Sequence, residues 1–388
     1  MHKLEKRALL KPLTPEYVEA MQALEVALKN VRPLKAKHKQ SLPTDIRELS
    51  YLLTLERAKL KNPYWTHPRN LSSYLYYFLP WNLVRLGRLL PGLDLNKLFF
   101  KEEALLDLGA GPATFGIALW LSLPELQDLK LTYVLQDRSR QACELGVQVW
   151  QRLAAELELS FRWQVKILPT PIASLAKIWP SLGLARPCLI SAVNFLNEYY
   201  GQRPSLELHE VMELFLEEIG PLLQGSRLLS VEPGTRLGGK LSVGLRFVAL
   251  KLGLYPIAPC PHADVCPLEE RHKTWCHYTF DIKGAPKWLR ELGDESGLSK
   301  DALSLSPLYL GFEHVAATSD IRVLSSPFSV PGIRGACRYG CSKKGLILLG
   351  GAESLAQGSL LSGISLQSAK VDLKSGAHIL LLKDNDHN

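Results

Sequence analysis

The chain has 388 residues, 46% of them hydrophobic, and a formal net charge of +8. That length accommodates two or three domains with full cores, and the modest basic excess suits a polyanionic partner such as nucleic acid. No run of about 18 apolar residues is present, which excludes a membrane-spanning helix, and Met1-His-Lys-Leu-Glu-Lys-Arg7 lacks the apolar core of a secretory signal. A cytoplasmic location is expected. Seven cysteines in a chain without such a signal argue against structural disulfides and for a metal or cluster site.

Residues 1–100 read as a helical region. Thr14-Pro15-Glu16 opens a helix to about Val31, with a capping hydroxyl and a proline in the first turn. A basic segment overlaps its end and follows it: Lys29, Arg32, Lys35, Lys37 and Lys39. Such a run is either a solvated face or a phosphate contact. Thr44 to about Lys61 reads as a second amphipathic helix, and Tyr64 to Pro68 as a loop. Leu71 to Leu90 is rich in Tyr and Leu and contains Pro80; aromatics at helical spacing there read as core.

Residues 101–250 alternate strand and helix. Ala104 to Leu108 is a short apolar run that ends in Gly109-Ala-Gly111 and passes into a helical run, Ala113 to Leu121. Strand, glycine turn and helix form the first unit of a doubly wound α/β sheet, in which the helix N-terminus turns N–H groups toward a ligand. Thr114 stands where a dinucleotide fold has its third glycine. Leu129 to Leu135 is the next strand, ending in Gln136-Asp137, and a carboxylate at that tip can accept from ribose hydroxyls. Arg140 to Leu157 reads as helix and Phe161 to Leu168 as strand. The third strong apolar run, Pro187 to Asn194, ends in Asn194-Phe-Leu-Asn-Glu198. Val211 to Leu223 reads as helix and Arg227 to Val231 as strand, ending in Glu232-Pro-Gly-Thr235. Polar clusters at successive strand tips imply one shared crevice. Cys188 reads as a buried structural thiol within its strand, and no general base stands out.

Asp107 two residues before Gly-x-Gly resembles motif I of the S-adenosylmethionine-dependent methyltransferases. The resemblance implies a Rossmann-like class I sheet with cofactor-binding residues at Asp107, Gly109, Gly111, Asp137, Asn194 and Glu198. The proline-tyrosine motif that amino-methylating enzymes carry near Asn194 is absent.

Residues 251–345 form a cysteine-rich region. Cys260, Cys266 and Cys276 fall within seventeen residues, and Cys337 and Cys341 follow. Four thiolates suit zinc or iron–sulfur. The spacing is neither that of paired C-x2-C knuckles nor that of a tight three-cysteine triplet. Residues 346–388 read as a small β segment, with strands at Leu346–Leu349 and from His378 to Lys383.

Leu106-Asp-Leu-Gly-Ala-Gly111, Val231-Glu-Pro-Gly-Thr235, Ala258-Pro-Cys-Pro-His262, Cys266-Pro-Leu268 and Trp275-Cys-His277 together resemble the mitochondrial small-ribosomal-subunit protein 22 family. Tyr74-Leu-Tyr-Tyr-Phe-Leu-Pro80 and Arg322-Val-Leu324 support the likeness, which covers roughly residues 70–350. These are methyltransferase-like proteins of small-subunit assembly, from mitochondria and bacteria. The resemblance implies a [4Fe-4S] cluster on Cys260, Cys266, Cys276 and Cys341, with Cys337 the competing fourth ligand and zinc the alternative metal. It also implies S-adenosyl-L-methionine as cofactor and the small ribosomal subunit with its 16S-type rRNA as partner. The free protein is expected to be a monomer without membrane contact. Two activities remain open: an rRNA methyltransferase, or an assembly factor that keeps the fold and catalyses nothing. The basic C-terminal ending of the family is missing.

Overall fold

The computed structural model describes residues 5–54, 65, 67–99, 103–271, 274–313, 320–363 and 370–382. In chain order the strands are β1 (Glu5–Ala8), β2 (Ala104–Leu108), β3 (Thr132–Gln136), β4 (Gln164–Leu168), β5 (Leu189–Val193), β6 (Arg227–Pro233) and β7 (Tyr255–Ala258). They continue with β8 (Tyr278–Asp281), β9 (Ala302–Gly311), β10 (Ile321–Val323), β11 (Arg338–Ser342), β12 (Gly345–Gly350), β13 (Ser359–Ser362) and β14 (His378–Leu381). One sheet has the order β4-β3-β2-β5-β6-β9-β7, with β8 on β9. Its β2–β3, β3–β4 and β2–β5 pairs are parallel, and β7 runs antiparallel to β9. The other sheet has the order β1-β13-β10-β11-β12-β14. Among the described residues no helix is long and apolar enough to cross a membrane.

The chain divides into two compact units. One comprises residues 11–230 and 281–303. Its strands β2, β3 and β5 are almost wholly buried, which is why they read as unbroken apolar runs rather than as alternating ones. Helix Pro15–Val31 starts as expected: the Thr14 hydroxyl accepts the Tyr17 N–H at 3.2 Å. The buried Tyr17 then donates its own hydroxyl to Leu83 O at 2.8 Å.

Two expectations for this region need correction. The second helix begins at Ala36, not Thr44, and carries Pro43 inside it, a residue that normally marks a helix start or break. It is described to Thr54; its expected extension to Lys61, and Tyr64 of the expected loop, lie outside the described residues. The segment around Pro80 is three pieces: a helix at Pro68–Ser73, a π turn at Tyr74–Phe78, and a helix at Leu79–Leu89. In a regular helix the Pro80 ring would meet the Tyr76 carbonyl, and the wider turn falls at that point.

The other unit comprises residues 1–10, 231–280 and 304–388. Its six-stranded sheet is packed by Ile321, Val323, Ile347, Leu349, Ala352, Leu355 and Leu361. The strands expected in the C-terminal segment are present as β12 and β14, although Lys383 lies outside the described residues. The N-terminus is not wholly helical: Glu5–Ala8 pairs antiparallel with Ser359–Ser362. Four residues with three charges carry no strand pattern of their own, so this pairing is imposed from the far end of the chain. Nor do strands stop at residue 250. β7 and β8 flank the cysteine-rich loop, which makes that loop an insertion between strands.

Gly146 of helix Arg140–Glu156 lies against the glycine turn, where an added Cβ would stand 2.1 Å from the Pro112 carbonyl carbon. Gly146→Ala should therefore destabilise by about 1–3 kcal/mol or more. Gly201→Ala, where nothing lies within 4 Å, should instead stabilise by about 0.4–1 kcal/mol. Urea midpoints for the two variants check both signs.

A candidate cofactor crevice and a cysteine neighbourhood

β3 and β5 flank β2 on opposite sides, so the chain's crossovers reverse direction at β2. A crevice opens beyond the strand ends at such a switch point. The turn that follows β2 has φ values of +61° at Gly109, +49° at Gly111 and +58° at Ala113, the last heading helix Thr114–Ser122. A Cβ on Gly109 would stand 2.4 Å from the Phe195 ring, and one on Gly111 would stand 3.2 Å from the Trp65 ring. Glycine is thus required by left-handed backbone and by close aromatic neighbours at once.

The tip of β3 fastens this turn. Gly109 N–H donates to Gln136 Oε1 at 3.1 Å, and Gly111 N–H donates to Asp137 Oδ2 at 2.9 Å. The other oxygen, Asp137 Oδ1, accepts from Ser139 N–H at 2.7 Å. Burial raises the Asp137 carboxyl, while these two N–H groups oppose the shift. Each carboxylate oxygen keeps a further lone pair for a ligand hydroxyl.

Asp107 sits beneath the turn, 1% exposed. It accepts from the Tyr133 hydroxyl at 2.5 Å and the Ser191 hydroxyl at 2.6 Å. Burial pushes its carboxyl up to about 7, against the pull of those two donors. The cleft above is nearly filled, with a cavity volume of about 10 Å³, and is lined by Tyr74, Asp107, Gly109, Thr114, Val193 and Asn194. Asn194 holds φ +55°, a left-handed conformation that Asn tolerates better than most residues. Glu198, on helix Leu196–Gly201, acts with Asp137 on the Tyr74 hydroxyl; burial first and these two charges next raise it. Of the six residues expected to bind cofactor, Asp107, Gly109 and Asn194 line the cleft, Gly111 and Asp137 are joined at the turn, and Glu198 acts on Tyr74 in the cleft wall. Trp65, Tyr74 and Phe195 were not singled out. For Tyr74 the aromatic richness of its segment is a signal, but that pattern reads equally as core; Trp65 and Phe195 carry no such signal.

The second neighbourhood lies in the unit of residues 231–280 and 304–388. Burial raises the Cys276 thiol, and so do Cys260 and Cys266; burial likewise raises Cys341, and so do Cys260, Cys266 and Cys276. Cys266 is pushed up to about 11 by burial and by Cys260. Four thiols thus share one electrostatic environment. Arg246, 3% exposed on helix Arg236–Lys251, stands among them. It donates to His262 O at 3.0 Å and Asp264 O at 2.6 Å, and its charge faces Cys260, Cys266 and Cys341. His262 Nε2 lies 3.3 Å from Cys341 Sγ, and burial holds this imidazole down to about 4. Arg322 Nε donates to Pro259 O at 2.7 Å. Cys337 is different: it pairs with Phe328, outside β11, and the charge beside it is Glu353. Among the described residues no three or more His, Cys, Asp or Glu side chains are arranged to hold a metal ion. Cys188 precedes β5 rather than lying within it, and burial raises both its thiol and that of Cys143.

The strand order, with its antiparallel last partner, and the clamped glycine turn define a Rossmann-like class I methyltransferase fold. Over residues 210–287 the chain matches the family described as mitochondrial small ribosomal subunit Rsm22. That stretch holds Cys260, Cys266 and Cys276 but neither Cys341 nor the glycine turn. No curated protein matches the chain. Among solved structures it is similar to precorrin-6y C5,15-methyltransferase from Geobacter metallireducens GS-15, at 12% identity and TM-score 0.29, over 57% of this chain and 84% of that one. It is similar to the rRNA methyltransferase aviRa from Streptomyces viridochromogenes, at 13% identity and TM-score 0.26, over 38% and 73%. A methyltransferase from Geobacter sulfurreducens in complex with S-adenosyl-L-homocysteine matches at 12% identity and TM-score 0.30, over 60% and 90%.

Asp107 carries a pH prediction. Its folded pKa, about 7, lies above the unfolded value of about 3.9, so the native state binds more protons in between. Its contribution to stability is full below the unfolded value and is lost as pH rises through 7. Wild-type stability relative to Asp107→Asn should fall by a few kcal/mol from pH 4.5 to pH 8. A difference in urea midpoints that stays constant over that range would show that Asp107 does not titrate there.

Proposed function

We propose that this is an S-adenosylmethionine-binding, methyltransferase-like protein of the small ribosomal subunit, which binds rRNA and carries a [4Fe-4S] cluster. The observation that carries the reading is the crevice turn, whose Gly111 N–H is held by Asp137 at the tip of the next strand. The residues fit the cofactor's chemistry. Asp137 has acceptor capacity for ribose hydroxyls, and Asn194 and Tyr74 line the cleft beside it. When bound, S-adenosylmethionine supplies a methyl group on a positively charged sulfur, and transfer depends chiefly on positioning. The chain's own contribution is to bind and orient. The carboxylates gathered at the crevice are Asp107, Asp137 and Glu198, and Asp107 is closed off beneath the turn.

A second reading, an assembly factor without methyl transfer, is favoured by one observation. Phe195 and Trp65 stand against the two glycines, and the cleft's cavity volume of about 10 Å³ falls far below the roughly 300–1,000 Å³ usual for ligand sites. Calorimetry with S-adenosylmethionine discriminates. Wild type should bind; Asp137→Ala should lose about 1.5–3 kcal/mol, the worth of a hydrogen bond to a charged group. Gly111→Val should not bind, because a branched side chain strains at φ +49° and displaces Trp65. Unchanged affinity in Gly111→Val would put the cofactor elsewhere, and no binding by wild type would leave the assembly-factor reading.

The cluster reading is supported by the donor set: four thiols in one environment, with the buried Arg246 facing three of them. Thiolates around an iron–sulfur cube stand further apart than around one ion, and a buried cation offsets the negative charge of a four-thiolate centre. Anaerobically purified protein should contain about four irons per chain for such a cluster. Cys260→Ser, Cys266→Ser, Cys276→Ser and Cys341→Ser should each lose most of it, and Cys143→Ser and Cys337→Ser should keep it. Stoichiometric zinc without iron absorbance would overturn the cluster in favour of zinc.

A further inference from the structure

A pocket of about 340 Å³ lies where the first two long helices meet the segment from His67 to Ser72. It is far from the glycine turn in sequence, and the cofactor reading does not use it. Its floor is apolar, made by Leu34, Leu42 and Pro68. Two imidazoles, His38 and His67, stand exposed at its edge. Its size falls within the range of ligand sites.

Charge decides what suits it. Arg32 is held in place by neutral acceptors: Nε donates to Ser72 Oγ and Nη2 to Pro68 O, both at 3.2 Å. Its own carbonyl accepts from the Tyr76 hydroxyl at 2.9 Å. Among the described residues Arg32 has no carboxylate partner, so its positive charge is fixed in position and uncompensated. Lys35, Lys37 and Lys39 follow it on the surface, exposed and likewise without a carboxylate partner among the described residues. The acidic side is accounted for: Asp45, which also lines the pocket, accepts from the Ser41 hydroxyl at 3.1 Å, and Arg69 pairs with Glu48 at 3.1 Å and with Asp45 at 3.9 Å. The remaining surplus is cationic, and it is concentrated at one rim.

An apolar floor, flanking imidazoles and a cationic rim match one particular chemistry. A heteroaromatic ring is accepted by the floor and stacks on imidazole, while its phosphate meets a fixed guanidinium and mobile ammonium groups. We propose that this pocket takes a single unpaired nucleotide of an RNA strand, with the base on Leu34, Leu42 and Pro68 and the phosphate on Arg32. Lys29 is paired with Glu25 at 2.6 Å, and Lys35, Lys37 and Lys39 then carry the neighbouring phosphates. The proposal rests on RNA being the partner, and it adds where one nucleotide is held.

The test uses the full chain and a single-stranded RNA substituted with 4-thiouridine. Crosslinked peptides mapped by mass spectrometry should come from residues 32–42 and 67–72. His38→Ala, at an exposed position, removes one stacking surface and should weaken binding about tenfold, with loss of those crosslinks. Lys37→Glu should weaken binding and flatten its salt dependence, while the crosslinks stay in the same peptides. RNA binding with crosslinks only elsewhere and no effect of His38→Ala would overturn the pocket and leave the RNA reading intact. No binding by wild type at low salt would overturn both.

Discussion

A buried carboxyl holds the crevice together. Asp107 is on the central strand, Tyr133 on the strand to one side and Ser191 on the strand to the other. Enclosing a carboxyl at 1% exposure is costly unless its oxygens are hydrogen-bonded, and here each oxygen receives one hydroxyl. The arrangement works in one register. A slip of one residue in either neighbour would turn its hydroxyl to the opposite face and leave an oxygen unpaired. Three parallel strands are thereby fixed in the alignment that brings Gly109, Asp137 and Asn194 to one level. The crevice is a consequence of this registration, and the glycine turn is seated on top of it.

The cysteine neighbourhood solves a similar problem with the opposite sign of charge. Arg246 is more deeply buried than the thiols it faces, and its hydrogen bonds go to two carbonyls of the loop itself. A guanidinium there fixes the path of residues 262–264 and tolerates thiolates beside it. His262, held neutral, can direct an N–H toward the Cys341 sulfur. Residues from a helix, a loop and a strand of the distant C-terminal sheet meet at this point, so its geometry depends on all three being in place.

Much of this was legible in the sequence, and the division is physical. Asp107, Gly109, Gly111 and Asp137 are readable because each is demanded locally, by a buried strand, a left-handed turn or a strand tip. Cys260, Cys266 and Cys276 are readable because their composition is rare. Other features depend on approach from afar. β7 is four residues long and contains Pro256, and β1 is mostly charged, so neither carries a periodic signal. Arg246 and Arg322 look like ordinary surface cations until a loop folds over them. Cys337 and Cys341 are four residues apart, and spacing cannot tell which of them lies beside the other thiols; the fold puts Cys341 there and Cys337 beside Glu353. Phe195 and Trp65 reach the crevice because their rings lie against glycines that have no side chain to keep them away.

The pairing of β1 with β13 has a consequence for synthesis. β1 finds its partner only when residues 359–362 have been made, long after residues 5–8. Cys276 similarly precedes Cys341 by 65 positions, an interval of about 3–13 s at roughly 5–20 residues per second. The glycine-turn strands, by contrast, are complete by residue 193. The strands that seat the glycine turn can pair while the chain is still being made, whereas the sheet of the thiol-bearing unit has to wait for residues 359–362.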